Sequence, residues 1–288
     1  MAVTVTSTDD PSRVLERAGS HLSRDPVLHN LITTLLHARV TRPEPGRYWI
    51  VEADGTPAGV VLQSPTTFFA TCTPMAAAHV TAAVDAIVDA GTELPGVIGE
   101  AGTAARFAGH WTERTGQPAE PVQGQRIYAL DAPAPGRPTP GTHRRADQSD
   151  RGLLVEWLNA FGAETAEGPG GAQEIVERRL ADGDLWLWDH DGPAALAGIH
   201  APVAGVCRVG PVYTPRPLRG RGYASALVTA VSAAAVDAGH RCMLYTDLAN
   251  PVSNSIYRAI GYRAVAEALR YRFSGDTGRS PTVDHSPA

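Results

Sequence analysis

The sequence predicts an α/β fold of the α+β type, in which two successive halves each form a mixed, mostly antiparallel, twisted sheet flanked by helices. Two stretches, 48–61 and 185–198, alternate in polarity, turn at an Asp-Gly pair and continue as a second strand, which is typical of a β-hairpin. Between them, the Pro-rich stretch 131–141 is typical of a semi-rigid linker. A similar hairpin on each side of a linker is weak internal repetition, and it indicates two copies of one fold.

The first half continues, after its hairpin, with a short apolar strand at 68–73 and a helix at 75–90. Thr73 and Pro74 are suited to the N-cap and the first helical position of that helix. Pro74 supplies no N–H group, and the turn contains no glycine, so we expect no ligand-binding loop at this point.

The second half shows a longer series of alternating elements. An amphipathic helix at 147–161 is followed by a loop at 164–171 and a second helix at 173–181. The remaining predicted elements are strands at 185–189, 194–201 and 207–213, a helix at 220–238, a strand at 242–247, a helix at 252–260, and closing strands at 263–267 and 269–273.

The most informative segment is Arg219-Gly220-Arg221-Gly222-Tyr223-Ala224, which joins a predicted strand to the start of a long Ala- and Val-rich helix. Such a turn gathers free backbone N–H groups at the positive end of the helix dipole, which is a site for phosphate. Its glycines let the backbone approach a ligand closely, and its arginines add positive charge. The segment therefore predicts a phosphate-bearing cofactor.

Two other phosphate-binding patterns fit the chain poorly. A nucleotide P-loop needs a lysine, and all 25 Lys and Arg residues of this chain are arginine. The same absence excludes a pyridoxal-phosphate Schiff base. A dinucleotide fingerprint needs a third glycine, where Ser225 stands, and an acidic residue about 20 positions further on, whereas Asp237 is nearer.

The segment from Val209 to Arg263 resembles the GNAT superfamily of acetyl-CoA-dependent N-acetyltransferases. Its loop pattern, [RQ]-x-x-G-x-[GA], is filled by Arg219, Gly222 and Ala224. The second pattern, N-x-x-A-x-x-x-Y-x-x-x-G-[FY], departs from the family only at Ser253, and it is filled by Asn250, Ser253, Tyr257, Gly261 and Tyr262. The two blocks stand in the right order, separated by enough chain for a helix and a strand.

This resemblance implies tandem GNAT-like domains, of which the C-terminal one is catalytic. We expect a degenerate N-terminal domain at 1–130 that has lost its cofactor loop, a linker at 131–141, an acetyl-CoA-binding domain at 142–275 and a disordered tail at 276–288. An unrelated α/β cap is the alternative for the N-terminal half. We hypothesise that this half shapes the acceptor cleft or a dimer interface.

The resemblance also implies which residues bind acetyl-CoA. A backbone N–H near Val212 or Tyr213, on the strand that leads through Thr214 to the loop, would polarise the thioester carbonyl. Arg219 and Gly220 would open the turn, and the pyrophosphate would be bound by the N–H groups of Arg221, Gly222, Tyr223 and Ala224. Asn250 lies where the family contacts the pantetheine arm, and the remaining cofactor-binding residues would be Thr214, Ser253 and Tyr257. Asn250 is equally suited to be a helix N-cap before Pro251.

Tyr257 stands at the position of the family's usual general acid. A tyrosine hydroxyl, with an ordinary pKa of about 10, can protonate the departing sulfur at neutral pH. Its alternative role is packing on the sheet.

The general base is not identified, because the strand before the loop holds no carboxylate, where many family members have a glutamate. Candidates are Glu164 and Glu167 in the acceptor-side loop, His200 and Asp247. Each has an ordinary structural alternative: a solvated loop carboxylate for the glutamates, a strand-end histidine for His200 and a loop cap for Asp247. A water relay without a single base is a further alternative.

Composition narrows the remaining classes. A chain of 288 residues with 43% hydrophobic and 19% charged residues is typical of a soluble globular protein, and its net charge of −5 gives no case for nucleic-acid binding. No apolar run reaches membrane-spanning length, no signal peptide is evident, and three scattered cysteines fit a reducing cytoplasm. Neither a metal site nor a membrane partner is indicated.

We therefore predict a cytoplasmic N-acetyltransferase, monomeric or homodimeric, that transfers the acetyl group directly to a primary amine of a small molecule in a ternary complex. Two alternatives stay open: a non-catalytic acyl-CoA-binding regulatory or structural protein, and a transferase of a longer acyl group. The sequence does not identify the acceptor.

Overall fold

The computed structural model describes residues 2–165 and 171–274, so the predicted tail at 276–288 lies outside the described residues. Along the chain, the element order β, α, α, β, β, β, α, β, α, β occurs twice. The predicted fold class is confirmed, because helices flank sheet strands that pair mostly antiparallel, with a parallel pair in each repeat. The repeated element order extends the repetition that the two hairpins indicated.

The chain packs as two compact units. The described residues of the first unit are 2–22, 35–122 and 268–274, and those of the second are 23–34, 123–165 and 171–267. The domain ranges expected from the sequence stay predictions. Each unit includes strand residues from the opposite side of the Pro-rich stretch. The first unit includes residues 268–273, and the second includes residues 123–130.

The first repeat of elements runs through residue 130. Its members are β1 Val3–Thr8, α1 Pro11–Leu22, α2 Asn30–Thr41, β2 Arg47–Ala53, β3 Thr56–Gln63, β4 Ala70–Cys72, α3 Ala77–Asp89, β5 Gly96–Glu100, α4 Ala101–Thr115 and β6 Ala119–Leu130. The second repeat comprises β7 Thr142–Arg145, α5 Arg151–Glu164, α6 Ala172–Asp182, β8 Leu185–Asp189, β9 Pro193–Ile199, β10 Val206–Tyr213, α7 Tyr223–Asp237, β11 Arg241–Asp247, α8 Pro251–Ile260 and β12 Arg263–Phe273.

The first unit contains the strands β1-β2-β3-β4-β5 in sheet order, and β12 completes them. The closing pairing is antiparallel, from Ala268 opposite Glu100 to Arg272 opposite Gly96. Phe273, at the end of β12, stacks on Trp111 of α4 with ring centroids 4.9 Å apart. A strand from the C-terminal end of the chain is therefore part of the core of the first unit.

The second unit contains the strand order β6-β11-β10-β9-β8-β7. Its closing strand is β6, which pairs antiparallel with all of β11, from Leu130 opposite Cys242 to Gln125 opposite Asp247. Helices α7 and α8 pack on one face of this sheet over an apolar cluster that includes Leu227, Val231 and Ile260. Helices α5 and α6 cover the other face over a cluster that includes Trp157, Val176 and Leu187.

The Pro-rich stretch forms no helix or strand and lies against the second unit. The Ala134 N–H donates to the Ile260 carbonyl at 2.7 Å, and the Trp188 indole donates to the Pro140 carbonyl at 2.9 Å. Asp131 at its start forms ion pairs with Arg241 and Arg263. These contacts hold the stretch along the unit that follows it.

Several predicted elements are corrected in detail. The helix expected at 75–90 begins at Ala77 with Ala76 as N-cap, and Thr73 instead accepts a hydrogen bond from the Val60 N–H through its hydroxyl. The two closing strands expected at 263–267 and 269–273 are one continuous strand, β12. Both hairpins turn at their Asp-Gly pairs, where Asp54 and Asp191 have positive φ.

Candidate functional site

The turn between β10 and α7 has the form that an anion site requires. After β10 the chain makes a short 3₁₀ turn at Arg216–Leu218, and Gly220 and Gly222 adopt φ values of 78° and 89°. Gly222 is the N-cap of α7, and no described side chain caps the helix start. The first N–H groups of this helix are therefore available to an external acceptor at the positive end of its dipole.

A cleft opens beside this turn because β10 and β11 diverge. Their parallel pairing extends from Val206 opposite Arg241 to Arg208 opposite Met243. Beyond that point β11 stays paired with β6, while β10 follows β9 to Tyr213 with a register shift between Val209 and Val212. The carboxyl-terminal halves of the two strands are thus unpaired with each other, at the end where the loop begins. This is where the sequence placed Val212 and Tyr213 as carbonyl-polarising residues.

Arginine side chains hold the shape of the loop. Arg219 donates through Nε to the Thr214 carbonyl at 2.8 Å, and its guanidinium lies 5.8 Å from the centre of the Tyr213 ring. Arg221 donates to the Pro217 carbonyl at 3.4 Å. The Thr214 hydroxyl is buried without a hydrogen-bond partner among the described residues. The arginines therefore stabilise the turn in addition to supplying charge.

The carboxylate of Glu164, the first candidate base, forms ion pairs with Arg219 and Arg216. Its carboxylate accepts from Arg219 Nη2 at 2.7 Å and from Arg216 Nε at 3.2 Å. Arg219 foremost, and then Arg216, lower the pKa of Glu164. A carboxylate in this state is a weak proton acceptor and a strong anchor between α5 and the loop. Glu167 lies outside the described residues.

His200, the second candidate, lies beside the ion pair that Arg179 forms with Asp184. Its Nδ1 lies 3.4 Å from Asp184 Oδ2. Burial foremost, and the positive charges of Arg179, Arg208 and Arg178, place the pKa of His200 well below its usual range. The imidazole is therefore neutral at physiological pH and a weak base.

Asp247 and Asn250 shape the turn from β11 to α8. Asp247 accepts from the Ala249 N–H at 2.7 Å, and Asn250 caps α8 by accepting from the Ser253 N–H at 3.0 Å, followed by Pro251. The capping roles considered for both residues are thus present. Asn254, which sequence reasoning missed, donates to the carbonyls of Asp247 and Asn250 and accepts from Tyr128. The signal for Asn254 was a polar residue on the apolar face of a predicted helix.

Tyr257 lies on α8 with its hydroxyl unengaged. Its ring packs between Tyr128, at a centroid distance of 6.4 Å, and Tyr262, at 5.9 Å. Within residues 2–165 and 171–274 its hydroxyl forms no hydrogen bond. Burial raises the pKa of Tyr257 to about 12, so the hydroxyl stays protonated at neutral pH. Tyr257 and Val212 both pack against the apolar cluster that lies between the sheet and helices α7 and α8.

The corresponding turn of the first unit is closed by its own residues. The Met75 N–H donates to the Thr103 hydroxyl at 3.1 Å, and the Met75 side chain is buried in the core. A side chain at Gly59 would collide with Met75, since an added Cβ would lie 2.1 Å from its sulfur. The residue before the N-cap of α3 is thus held by protein groups, although α3, like α7, has no side-chain cap.

Neither a membrane-spanning helix nor a metal cluster is found among the described residues. No helix there combines the length and apolarity that crossing a bilayer requires. In the same ranges, no three His, Cys, Asp or Glu side chains converge as a metal ion would need.

Comparison with known proteins shows which family model and which solved structures resemble this chain. A family model described as FR47-like protein matches residues 190–271, which include the loop, the cleft strands and α8. No curated protein matches the chain significantly.

Solved structures match over nearly the whole chain. A GCN5-related N-acetyltransferase from Sphaerobacter thermophilus is 19% identical with a TM-score of 0.60, over 94% of this chain and 95% of that one. A GNAT-family acetyltransferase from Colwellia psychrerythraea is 10% identical with a TM-score of 0.58, over 95% and 100%. A tandem GNAT protein from the clavulanic acid biosynthesis pathway is 11% identical with a TM-score of 0.55, over 95% and 99%. The predicted resemblance to the GNAT superfamily is confirmed, and at these identities the structural matches establish the fold.

Proposed function

We propose that this chain, which has the fold of the GNAT acetyltransferases, is an acetyl-CoA-dependent N-acetyltransferase that transfers the acetyl group to a primary amine of a small molecule. The observation that supports this most strongly is the open N-terminus of α7 beside the cleft between β10 and β11. A phosphate-bearing, extended ligand fits that combination, since its phosphates meet free N–H groups and its arm enters between two unpaired strand edges.

Each group of residues in the site has a separate role in a direct acetyl transfer within a ternary complex. The N–H groups of Arg221, Gly222, Tyr223 and Ala224 bind pyrophosphate oxygens at the helix start. An N–H of Val212 or Tyr213 donates to the thioester carbonyl, where negative charge develops. Tyr257 donates its proton to the leaving sulfur, which its free, protonated hydroxyl allows. When bound, acetyl-CoA supplies an acyl thioester that a neutral amine can attack.

Removal of the amine proton is assigned to a water relay. Of the candidate bases, Glu164 is held by two arginines, His200 has a strongly lowered pKa, and Asp247 caps a turn. A relay needs no single strong base, because each water passes the proton toward solvent.

The same observation favours a second candidate, a non-catalytic acyl-CoA-binding protein with a regulatory or structural role. In such a protein the loop and cleft would be retained and the proton-transfer groups would be engaged in structure. A transferase of a longer acyl group is a variant of the first candidate, since the loop recognises only the phosphates.

We further propose that the first unit is a second copy of the GNAT fold that has lost its ligand loop. The repeated element order supports this, as does the turn before α3, which contains Pro74 and no glycine. The three cysteines are free, which supports a reducing, cytoplasmic environment. The monomeric or dimeric state stays a prediction.

The test of catalysis is CoA-thiol release from acetyl-CoA with a panel of primary amines, including amino acids, polyamines and aminoglycosides. A catalyst shows amine-dependent, saturable release with at least one class, and mass spectrometry finds the acetylated amine. Tight acetyl-CoA binding without release from any amine would favour the second candidate.

A further inference from the structure

A buried arginine on α6 reaches the point where β10 departs from regular pairing. Between Val209 opposite Ile199 and Val212 opposite Ala197, β10 contains three steps where β9 contains two. Gly210 and Pro211 are therefore both opposite Gly198, and together they form a bulge. Arg179, whose side chain is 5% exposed, donates through Nη1 to the Gly210 carbonyl at 2.8 Å.

The space for this guanidinium exists because residue 198 has no side chain. A Cβ at Gly198 would lie 2.2 Å from Arg179 Nη2, 2.7 Å from its Cζ and 2.6 Å from the Gly210 carbonyl oxygen. Three elements, α6, β9 and β10, therefore meet at one hydrogen bond. Helices usually pack on sheets through apolar side chains, whereas here Gly198 leaves room for the charged guanidinium of Arg179.

The guanidinium of Arg179 is itself held in place by the buried carboxylate of Asp184. Arg179 Nε donates to Asp184 Oδ1 at 2.8 Å, and Asp184 is 7% exposed. The other carboxylate oxygen lies 3.4 Å from His200, and the Asp184 carbonyl accepts from the Ile199 N–H at 2.8 Å. Arg179 Nη2 is buried without a hydrogen-bond partner among the described residues. A buried arginine with an unused N–H group is costly, and its retention needs a reason beyond packing.

We propose that Arg179 is a positioning residue that fixes the bulge of β10 and thereby aims the N–H of Val212 or Tyr213 into the cleft between β10 and β11. The inference rests on the proposed function, since the target of that N–H is the thioester carbonyl. The Gly210 carbonyl belongs to the peptide that precedes Pro211, so anchoring it sets the direction of the chain that leads to Val212. Because Pro211 has no N–H, the bulge has fewer strand hydrogen bonds of its own to hold it.

The test compares the affinity of the full chain for acetyl-CoA and for CoA by calorimetry. CoA has the same phosphates and pantetheine arm as acetyl-CoA but lacks the thioester carbonyl. The ratio of the two affinities therefore reports the hydrogen bond between that carbonyl and the N–H of Val212 or Tyr213. The variants are Arg179→Met and Arg179→Lys. Lysine keeps a positive charge beside Asp184, yet its single ammonium cannot reach both Asp184 and Gly210. The matched control is Arg178→Gln, which removes the exposed neighbouring arginine of the same helix.

We expect both Arg179 variants to weaken acetyl-CoA relative to CoA by about five- to tenfold, the size of one hydrogen bond to a neutral carbonyl. Arg178→Gln leaves the ratio unchanged. If Arg179→Met does not fold, Arg179→Lys decides the question. An unchanged ratio in a folded variant, or equal weakening of both ligands, would overturn the positioning role while leaving the proposed function intact. If the wild-type chain binds neither ligand, the proposed function itself fails, and this inference with it.

Discussion

Replacing Tyr257 by phenylalanine removes only the hydroxyl that the mechanism uses as an acid. That hydroxyl forms no hydrogen bond within the described residues, and the ring keeps its packing against Tyr128 and Tyr262. The free energy of unfolding is therefore expected to change by less than about 0.5 kcal/mol. Loss of a general acid reduces turnover by about 10²- to 10⁴-fold, which raises the barrier by about 3–5 kcal/mol.

Tyr262→Phe is the matched control, five positions further along the chain. Its hydroxyl is buried and lies 2.8 Å from the Ser232 hydroxyl. Its removal strands a buried partner and lowers stability by about 1–3 kcal/mol, without a selective loss of turnover. The assay is CoA-thiol release with the amine found by screening, together with CoA affinity by calorimetry. Full turnover in Tyr257→Phe, or loss of CoA affinity instead of turnover, would refute the acid role.

Three further predictions concern stability and reactivity. Asp150 accepts two hydrogen bonds from Arg144, which foremost lowers the pKa of Asp150, so Asp150→Asn should lower stability by about 1.5–3 kcal/mol at pH 7. Because a depressed carboxyl pKa contributes stability above the unfolded value of about 3.9, the difference in denaturant melts should shrink as pH falls below about 4; an equal difference at pH 7 and pH 3 would contradict this. A chain ending at Glu267 lacks the part of β12 that completes the first unit, so hydrogen exchange should accelerate in β5 and α4, whereas a chain ending at Ser274 should match the full chain. Burial raises the pKa of all three thiols, and native protein should resist a thiol reagent that labels unfolded protein fully; rapid labelling at Cys72, Cys207 or Cys242 would be inconsistent with their burial.

The elements that the sequence predicted well are those whose pattern is local. The helix α7 and the loop before it are encoded by an apolar run and by glycines that tolerate positive φ. The polar strand β6 was not predicted, because its stability comes from pairing with β11, more than a hundred residues later. Propensity within a short window contains no information about such a partner.

Each unit is closed by a strand from the other repeat, β12 in the first unit and β6 in the second. This arrangement was not predicted for the same reason, since it depends on pairing between distant parts of the chain. The sequence placed both closing strands of the second half in one domain, whereas β12 pairs with β5 from residue 268 onward. A chain that lacks the first repeat would therefore also lack β6, the closing strand of the second unit.

At the candidate site, the sequence predicted the loop, Asn250 and Tyr257, because each belongs to a spaced pattern. The capping role of Asn250 is confirmed, whereas the binding and catalytic roles stay predictions. Sequence reasoning missed Arg179, Asp184 and Asn254, which are buried polar side chains. Arg179 donates to Gly210, 31 positions away, and Asn254 accepts from Tyr128, 126 positions away. The sequence also could not show that Glu164 is paired with arginines 52 and 55 positions away. Charge pairing across loops depends on the fold, and only the structure supplies it.

The central claim is that acetyl-CoA binds at the start of α7, and calorimetric titration of the full chain tests it most directly. The informative variant is Gly222→Ala, since φ is 89° there and an added Cβ would lie 3.2 Å from Thr139. The control is Gly239→Ala, at the other end of the same helix, where φ is 84° and an added Cβ meets nothing within 4 Å. Both changes place alanine in a left-handed conformation at a cost of about 1–2 kcal/mol, so they are matched in backbone strain. We predict one-site binding in the wild type and in Gly239→Ala, and binding at least tenfold weaker in Gly222→Ala. Absence of binding to the wild type at millimolar acetyl-CoA, or equal affinity in all three proteins, would contradict the claim.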